Sequence, residues 1–244
     1  MTPLRLGNIR VSPLADWSAY AEAYDLLSEY NPAYQSLLHD FEMFLTSIEP
    51  PTVIYDIGGG TGNYTAIAAA TCPDSIIHFV EPDSGMLRIA RKKLSNYSNI
   101  IYNVVTLESV NAANTADLLI SVHSLYAMAD PRRRIAEMRK LLRPGGLIYL
   151  IDLGRLMNVG DWRYYLFSHL KRKHGIADAL SILWQGREIA KQNTAIRNAQ
   201  KSGAYWLHDH DDFAAMVAAE GFEILRQETV YRGYSDLLVC RATT

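Results

Sequence analysis

The chain reads as an α/β protein: a doubly wound, mostly parallel sheet of seven strands, entered through an N-terminal helical stretch and interrupted late by a helical insertion. Three observations lead there. Short apolar runs rich in β-branched residues recur at 53–57, 76–81, 100–106, 116–121 and 147–152, each too short for a buried helix. Helix-compatible segments separate them, the alternation that builds a parallel sheet. The last two runs, 222–230 and 234–241, meet around Arg232-Gly233 and close the sheet as an antiparallel hairpin.

Taken in order, the first stretch, up to Thr46, is helical and aromatic, with Asn31-Pro32 breaking it. Tyr20 and Tyr24 stand one turn apart and share a face. The first strand ends in an acid and a glycine turn, Asp56-Ile57-Gly58-Gly59-Gly60-Thr61-Gly62. Glycines at alternate positions let the backbone turn sharply and approach a ligand, and the following helix aims its N-terminal N–H groups back at the turn. The second strand also ends in a carboxylate, Glu81, about 20 residues after the turn, the spacing that ribose recognition requires. Asp83 or Ser84 caps the next helix, 85–94. Pro131 opens a helix with Ile135, Met138, Leu141 and Leu142 at helical spacing, and Arg143-Pro144-Gly145-Gly146 stops it. Residues 154–205 are too many for an ordinary connection, so helices are expected over 161–170 and 178–200. They leave a strand's carboxyl end, where α/β sheets bind ligands, which makes them a substrate cap.

Small differences decide which cofactor the turn serves. The dinucleotide fingerprint G-x-G-x-x-G would place its third glycine on Asn63, and a P-loop would need a lysine where Gly62-Asn63-Tyr64 stands. An acid before the first glycine, with no basic group nearby, suits a cationic or amine-bearing ligand. The segment resembles motif I of the class I S-adenosylmethionine (SAM)-dependent methyltransferases. Glu81-Pro82-Asp83 followed by Met86-Leu87, and Arg143-Pro144-Gly145-Gly146, extend the resemblance over about 16–152.

The resemblance implies SAM as cofactor. It makes Glu81 the ribose-binding acid, with Pro82 beside it, and Met86 an apolar contact to adenine. Thr106 and Leu107 stand where the family contacts adenine, with Thr106 replacing the usual aspartate. Asp56, Gly58, Gly60 and Ser121, which ends the fourth strand, complete the cofactor set. In similar enzymes the N-terminal helix folds over the cofactor, so 1–46 is read as a lid and Tyr20 and Tyr24 as its contacts. The implied organisation is a lid (1–46), a SAM-binding core (47–153 and 206–244) and a cap (154–205).

Composition sets outer bounds. With 49% apolar and 20% charged residues and a net charge of −2, the chain lacks the basic footprint of a nucleic-acid binder. Arg132-Arg133-Arg134 and Lys171-Arg172-Lys173-His174 read as solvated helix faces. Two distant cysteines form no disulfide framework or zinc pattern. No signal-peptide pattern opens the chain and no segment approaches a membrane span. The expectation is therefore a cytoplasmic monomer or homodimer, with neither nucleic acid nor membrane as partner. His208-Asp209-His210-Asp211-Asp212 invites a metal reading, but Asp211 or Asp209 as cap of the following helix explains it better, and no metal is expected.

The expected activity is SN2 methyl transfer from SAM to an oxygen or nitrogen of a small molecule, a reaction in which alignment and desolvation do most of the work. His123, at the mouth of the fourth strand, is the candidate base, with Tyr126 and then His208 behind it. Two alternatives stand beside this. One is intramolecular attack within SAM that releases methylthioadenosine, and the other is a non-catalytic SAM-binding module.

Overall fold

The computed structural model describes residues 14–243. Thirteen residues of the expected lid, 1–13, and Thr244 lie outside the described residues.

The chain enters through α1 (Trp17–Tyr24), α2 (Leu26–Tyr30) and α3 (Pro32–Ser47). The alternation then follows: β1 (Val53–Ile57), α4 (Asn63–Thr71), β2 (Ile76–Val80), α5 (Ser84–Lys93), β3 (Ile100–Asn103), β4 (Ala116–Val122), α6 (Pro131–Leu141) and β5 (Leu142–Leu153). Three helices, α7 (Val159–His174), α8 (Ile176–Gln185) and α9 (Arg187–Lys201), precede α10 (His210–Ala219), β6 (Phe222–Val230) and β7 (Ser235–Ala242). The seven strands lie in the order β3-β2-β1-β4-β5-β7-β6. β1 to β5 pair in parallel, and β7 inserts antiparallel between β5 and β6.

Period-two alternation buries both faces of this sheet. Ile54, Leu118, Ile120, Tyr149 and Ile151 pack against Phe41 and Phe44 of α3 and Ala68 of α4. Tyr55, Ile57, Leu119, Ile148 and Leu150 pack on the other side against Met138 of α6 and Phe213 and Val217 of α10. The strand order reverses between β1 and β4, each next to the other but with chains winding outward in opposite directions. The crevice at such a switch point is where open α/β sheets take ligands.

Several boundaries differ from the sequence reading. The N-terminal stretch breaks at Asp25 as well as at Asn31, whose side chain caps α3 from Ala33 N. β3 stops at Asn103, which leaves Thr106 in a loop. β5 already pairs at Leu142 with Ala116 and resumes at Leu147 with Leu118, so Arg143–Gly146 is a bulge inside a strand and not merely a stop. Gly145 there has φ +79°, and a Cβ on Gly146 would lie 3.0 Å from Ala116 O. The single helix expected over 178–200 is two, divided at Gly186, whose N–H closes α8 onto Ile182 O. Glycine's weak helix propensity makes that the cheapest place for the turn.

Candidate cofactor and acceptor site

A cavity of about 360 Å³ opens at the carboxyl ends of β1, β2, β4 and β5. Its floor is the glycine turn. Gly58 N–H donates to Val80 O at 2.9 Å, which folds the end of β1 against the end of β2. Gly58 has φ +69°, and a Cβ there would meet Ser124 Cβ at 2.5 Å; Gly60 has φ +58° and nothing nearer than 3.9 Å to its missing side chain. The first glycine permits packing behind the turn, and the second leaves a cradle in front of it.

Glu81 stands over this cradle, buried and oriented. One carboxylate oxygen accepts Gly60 N–H at 2.9 Å and the other accepts Asp83 N–H at 2.8 Å. Each oxygen keeps a lone pair for a ligand diol. Burial raises the Glu81 carboxyl while the two backbone N–H groups pull it back down. Asp83 also caps α5 by accepting Met86 N–H at 2.9 Å, which sets Met86 and Pro82 on the cavity wall. Thr106 and Leu107 line the same end, Thr106 exposed and Leu107 buried. Glu81, Glu108 and Asp83 are its charged groups, and no lysine or arginine lines the cavity anywhere among the described residues.

The opposite half is aromatic. Trp17, Tyr20 and Tyr24 of α1, Tyr126 after β4 and Tyr231 between β6 and β7 all line it. Tyr20 stacks between Trp17 (6.1 Å) and the edge of Tyr24 (5.1 Å), and its hydroxyl donates to Asn193 Oδ1 of α9 at 2.9 Å. Gln192, one residue back, accepts Asp16 N–H at 2.8 Å, so α1 and α9 meet across the mouth. Burial drives the Tyr20, Tyr24 and Tyr126 hydroxyls well above their usual range, which leaves them neutral donors.

Two residues expected at the cofactor stand behind it. Asp56 points to the α4 side of β1, as alternation dictates, and accepts Thr65 Oγ1 at 2.5 Å without reaching the cavity. Burial lifts its carboxyl to about 7. Ser121 is fully buried and bonds Ser124 Oγ at 2.8 Å; Ser124 itself reaches the wall and donates to Ile57 O at 3.1 Å.

The base candidates are corrected too. His123 does line the cavity, but its Nε2 bonds the buried Ser235 Oγ at 2.8 Å and burial holds its imidazole down to about 3. A ring of that basicity cannot hold a proton taken from an acceptor at neutral pH. Its backbone is left-handed, φ +50°, with N–H donating to Ile151 O at 2.8 Å, so it turns the chain at the end of β4. Tyr126 is on the wall as a neutral hydroxyl, and its N–H donates to Asp152 Oδ1 at 3.1 Å. His208 lies off the cavity, 3.4 Å from Asp236 and 3.8 Å from Asp152. Its neighbour Asp209 caps α10 by accepting Asp212 N–H, and among the described residues no cluster of His, Cys, Asp and Glu has the arrangement of a metal site.

Sequence reading missed Trp17, Ser124, Asn193 and Tyr231. Trp17 lies in the aromatic N-terminal stretch, where nothing local sets it apart from its neighbours. Asn193 and Tyr231 come from elements far along the chain, and nothing local marks them.

A protein family described as a methyltransferase domain matches residues 55–148, from the first strand to the fifth. The ubiquinone/menaquinone biosynthesis C-methyltransferase UbiE of Bordetella avium is 25% identical over 226 residues, 89% of this chain and 82% of that protein. The malonyl-[acyl-carrier protein] O-methyltransferase of Hahella chejuensis is 31% identical over 150 residues, 60% of this chain and 51% of that one. Among solved structures, the N-methyltransferase NodS of Bradyrhizobium japonicum, crystallised with S-adenosyl-L-homocysteine, superposes with TM-score 0.63 at 14% identity, covering 94% of this chain and all of that one. The cradle at Gly60 and the pre-oriented Glu81 fit the nucleoside of SAM. With that geometry and these relatives together, the chain carries a methyltransferase domain over 55–148 in a class I methyltransferase fold and is a SAM-dependent transferase.

Proposed function

We propose that this enzyme methylates a nitrogen of a small, largely apolar amine. Bound SAM supplies a sulfonium methyl open to in-line displacement. Glu81 and the glycine turn would hold its ribose, Met86 and Leu107 its adenine, and the aromatic half would receive the acceptor. The observation that carries the nitrogen assignment is that, among the described residues, the aromatic half of the wall offers no competent base, the carboxylates standing at the opposite end. His123 is too weakly basic and the tyrosines are neutral donors. A neutral amine attacks through its lone pair and sheds its proton afterwards, so it needs no base during transfer, whereas an alcohol does. The ammonium that forms faces Tyr20, Tyr24, Tyr126 and Trp17, whose rings stabilise a desolvated cation. The lack of lysine and arginine argues against an anionic acceptor. Relatives that methylate carbon and oxygen carry no vote on the atom, because the site and not the fold decides it.

The test is incubation of purified enzyme and SAM with matched panels of apolar amines, phenols and carboxylic acids, read by mass spectrometry for S-adenosylhomocysteine. Turnover confined to the amines is expected; turnover only with phenols or acids refutes the assignment. The same missing base favours one second reading, attack within SAM itself. Methylthioadenosine formed from SAM alone, above the spontaneous background, would establish that reading instead.

A further inference from the structure

We propose that α8, with the basic end of α7, docks the enzyme onto an anionic lipid surface. The proposal is independent of which acceptor atom is methylated. On α8, Ile176, Leu180 and Trp184 recur at four-residue spacing and are 56%, 56% and 66% exposed. At 100° per residue they extend the apolar arc that begins with the buried Ala179, while Asp178, Ser181 and Gln185 occupy the far side. The arc is wider than the contact that holds α8 on the domain. An apolar stripe of this width left in water marks an interaction surface.

Charge chooses the occupant. Lys171, Arg172 and Lys173 end α7 immediately before the stripe, exposed and without an ion-pair partner among the described residues. Arg187 follows the stripe with its guanidinium 4.1 Å over the Trp184 ring. Of the acidic residues in 159–190, Asp161 is paired with Arg232 and Glu188 with Lys191, which leaves Asp178. The stripe is thus flanked by cations at both ends in a chain whose net charge is −2. A second copy meeting this face to face would set like charges against each other. An apolar face with a tryptophan and flanking Lys and Arg fits the headgroup boundary of an anionic bilayer, with the rings and aliphatic side chains inserted and the cations among the phosphates. Such docking departs from the sequence expectation that no membrane is a partner. No described helix is long and apolar enough to cross a bilayer, but a helix that lies in the interface needs no span. The next helix, α9, carries Asn193 and Ile196 of the cavity wall, so the docked face adjoins the site through one turn at Gly186.

The experiment is flotation of the purified full-length protein with vesicles of phosphatidylcholine alone and of phosphatidylcholine mixed with phosphatidylglycerol. Binding only to the mixed vesicles is expected, with a blue shift of tryptophan emission. Raising the salt to about 1 M, where the Debye length falls to about 3 Å, should weaken it. The double substitution Leu180→Glu and Trp184→Glu, and separately the triple Lys171→Glu, Arg172→Glu and Lys173→Glu, should each lower vesicle affinity by at least about tenfold. Both sets change exposed side chains, so the melting temperature and SAM affinity should stay at wild-type values. No binding to the mixed vesicles overturns the proposal, as does binding that survives both sets. Dimerisation by analytical ultracentrifugation that the Leu180→Glu and Trp184→Glu change abolishes, without vesicle binding, overturns it in favour of an interface between copies. Retention of an acidic protein on the same face, again without vesicle binding, overturns it in favour of a protein partner.

Discussion

Glu81 is in place before any ligand arrives, because two backbone N–H groups already hold its oxygens. Replacing it by alanine removes a charge-assisted, two-point contact, a loss of about 1.5–3 kcal/mol, so SAM affinity should fall by about 10- to 150-fold in titration calorimetry. Unchanged affinity would remove Glu81 from the cofactor site. His123 makes the opposite prediction. Asparagine tolerates its left-handed backbone, so His123→Asn should keep kcat within about threefold, where loss of a true general base costs about 10²–10⁴. At this scale the gathering of Gly58, Gly60, Glu81 and Met86 around one cavity was legible in the sequence, since a glycine turn and a strand-end acid at that spacing put them at the same edge of the sheet. Asp56 was not. Its placement depends on which way one strand residue points, and the acid before the glycines serves Thr65 instead.

Between elements, polar contacts add to apolar packing in tying α1 and α2 to the core. Asp25, in the gap between α1 and α2, accepts Thr61 Oγ1 and Lys93 Nζ, each at 2.7 Å. Ser18 of α1 donates to both oxygens of Asp83. If α1 acts as a lid, Asp25→Ala should speed SAM release several-fold in stopped-flow measurements, with little change in melting temperature. An unaltered release rate would mean that cofactor passes without moving α1. Helices with strong apolar periodicity, such as α6, were readable from sequence. The breaks at Asp25 and Gly186 were not, because both interrupt segments whose local composition favours helix on either side. The bulge at Arg143–Gly146 was hidden differently: proline and glycine mark a stop, and only the pairing of Leu142 with Ala116 shows that the strand begins ahead of it.

For the molecule as a whole, the sheet was legible almost entirely, since the alternation of strands and helices admits few topologies once crossovers are right-handed. What escaped was the set of acids buried behind the sheet's carboxyl edge. Asp152 is fully buried, one oxygen on Tyr126 N–H and the other without a hydrogen-bond partner among the described residues, and burial raises its carboxyl to about 8. An acid whose folded pKa lies above its unfolded value binds more protons when folded, so its stabilising contribution is complete below about 4 and is lost as pH rises toward 8. The amide introduced by Asp152→Asn does not ionise. The melting temperature of that variant relative to wild type, followed by circular dichroism, should therefore climb steadily from about pH 4 to pH 8. A flat difference would show that Asp152 titrates normally.

The cavity's charges have a consequence for selection among cellular nucleosides. The end beside the glycine turn presents Glu81, Asp83 and Glu108, and among the described residues no lysine or arginine answers them. ATP and the nicotinamide dinucleotides offer the same adenosine, but their phosphates would enter an acid-lined space with no cation to neutralise them, a penalty that grows as water is excluded. SAM carries a sulfonium and an ammonium against a single carboxylate and suffers no such repulsion. Such a wall would favour SAM over phosphate-bearing adenosine derivatives by exclusion.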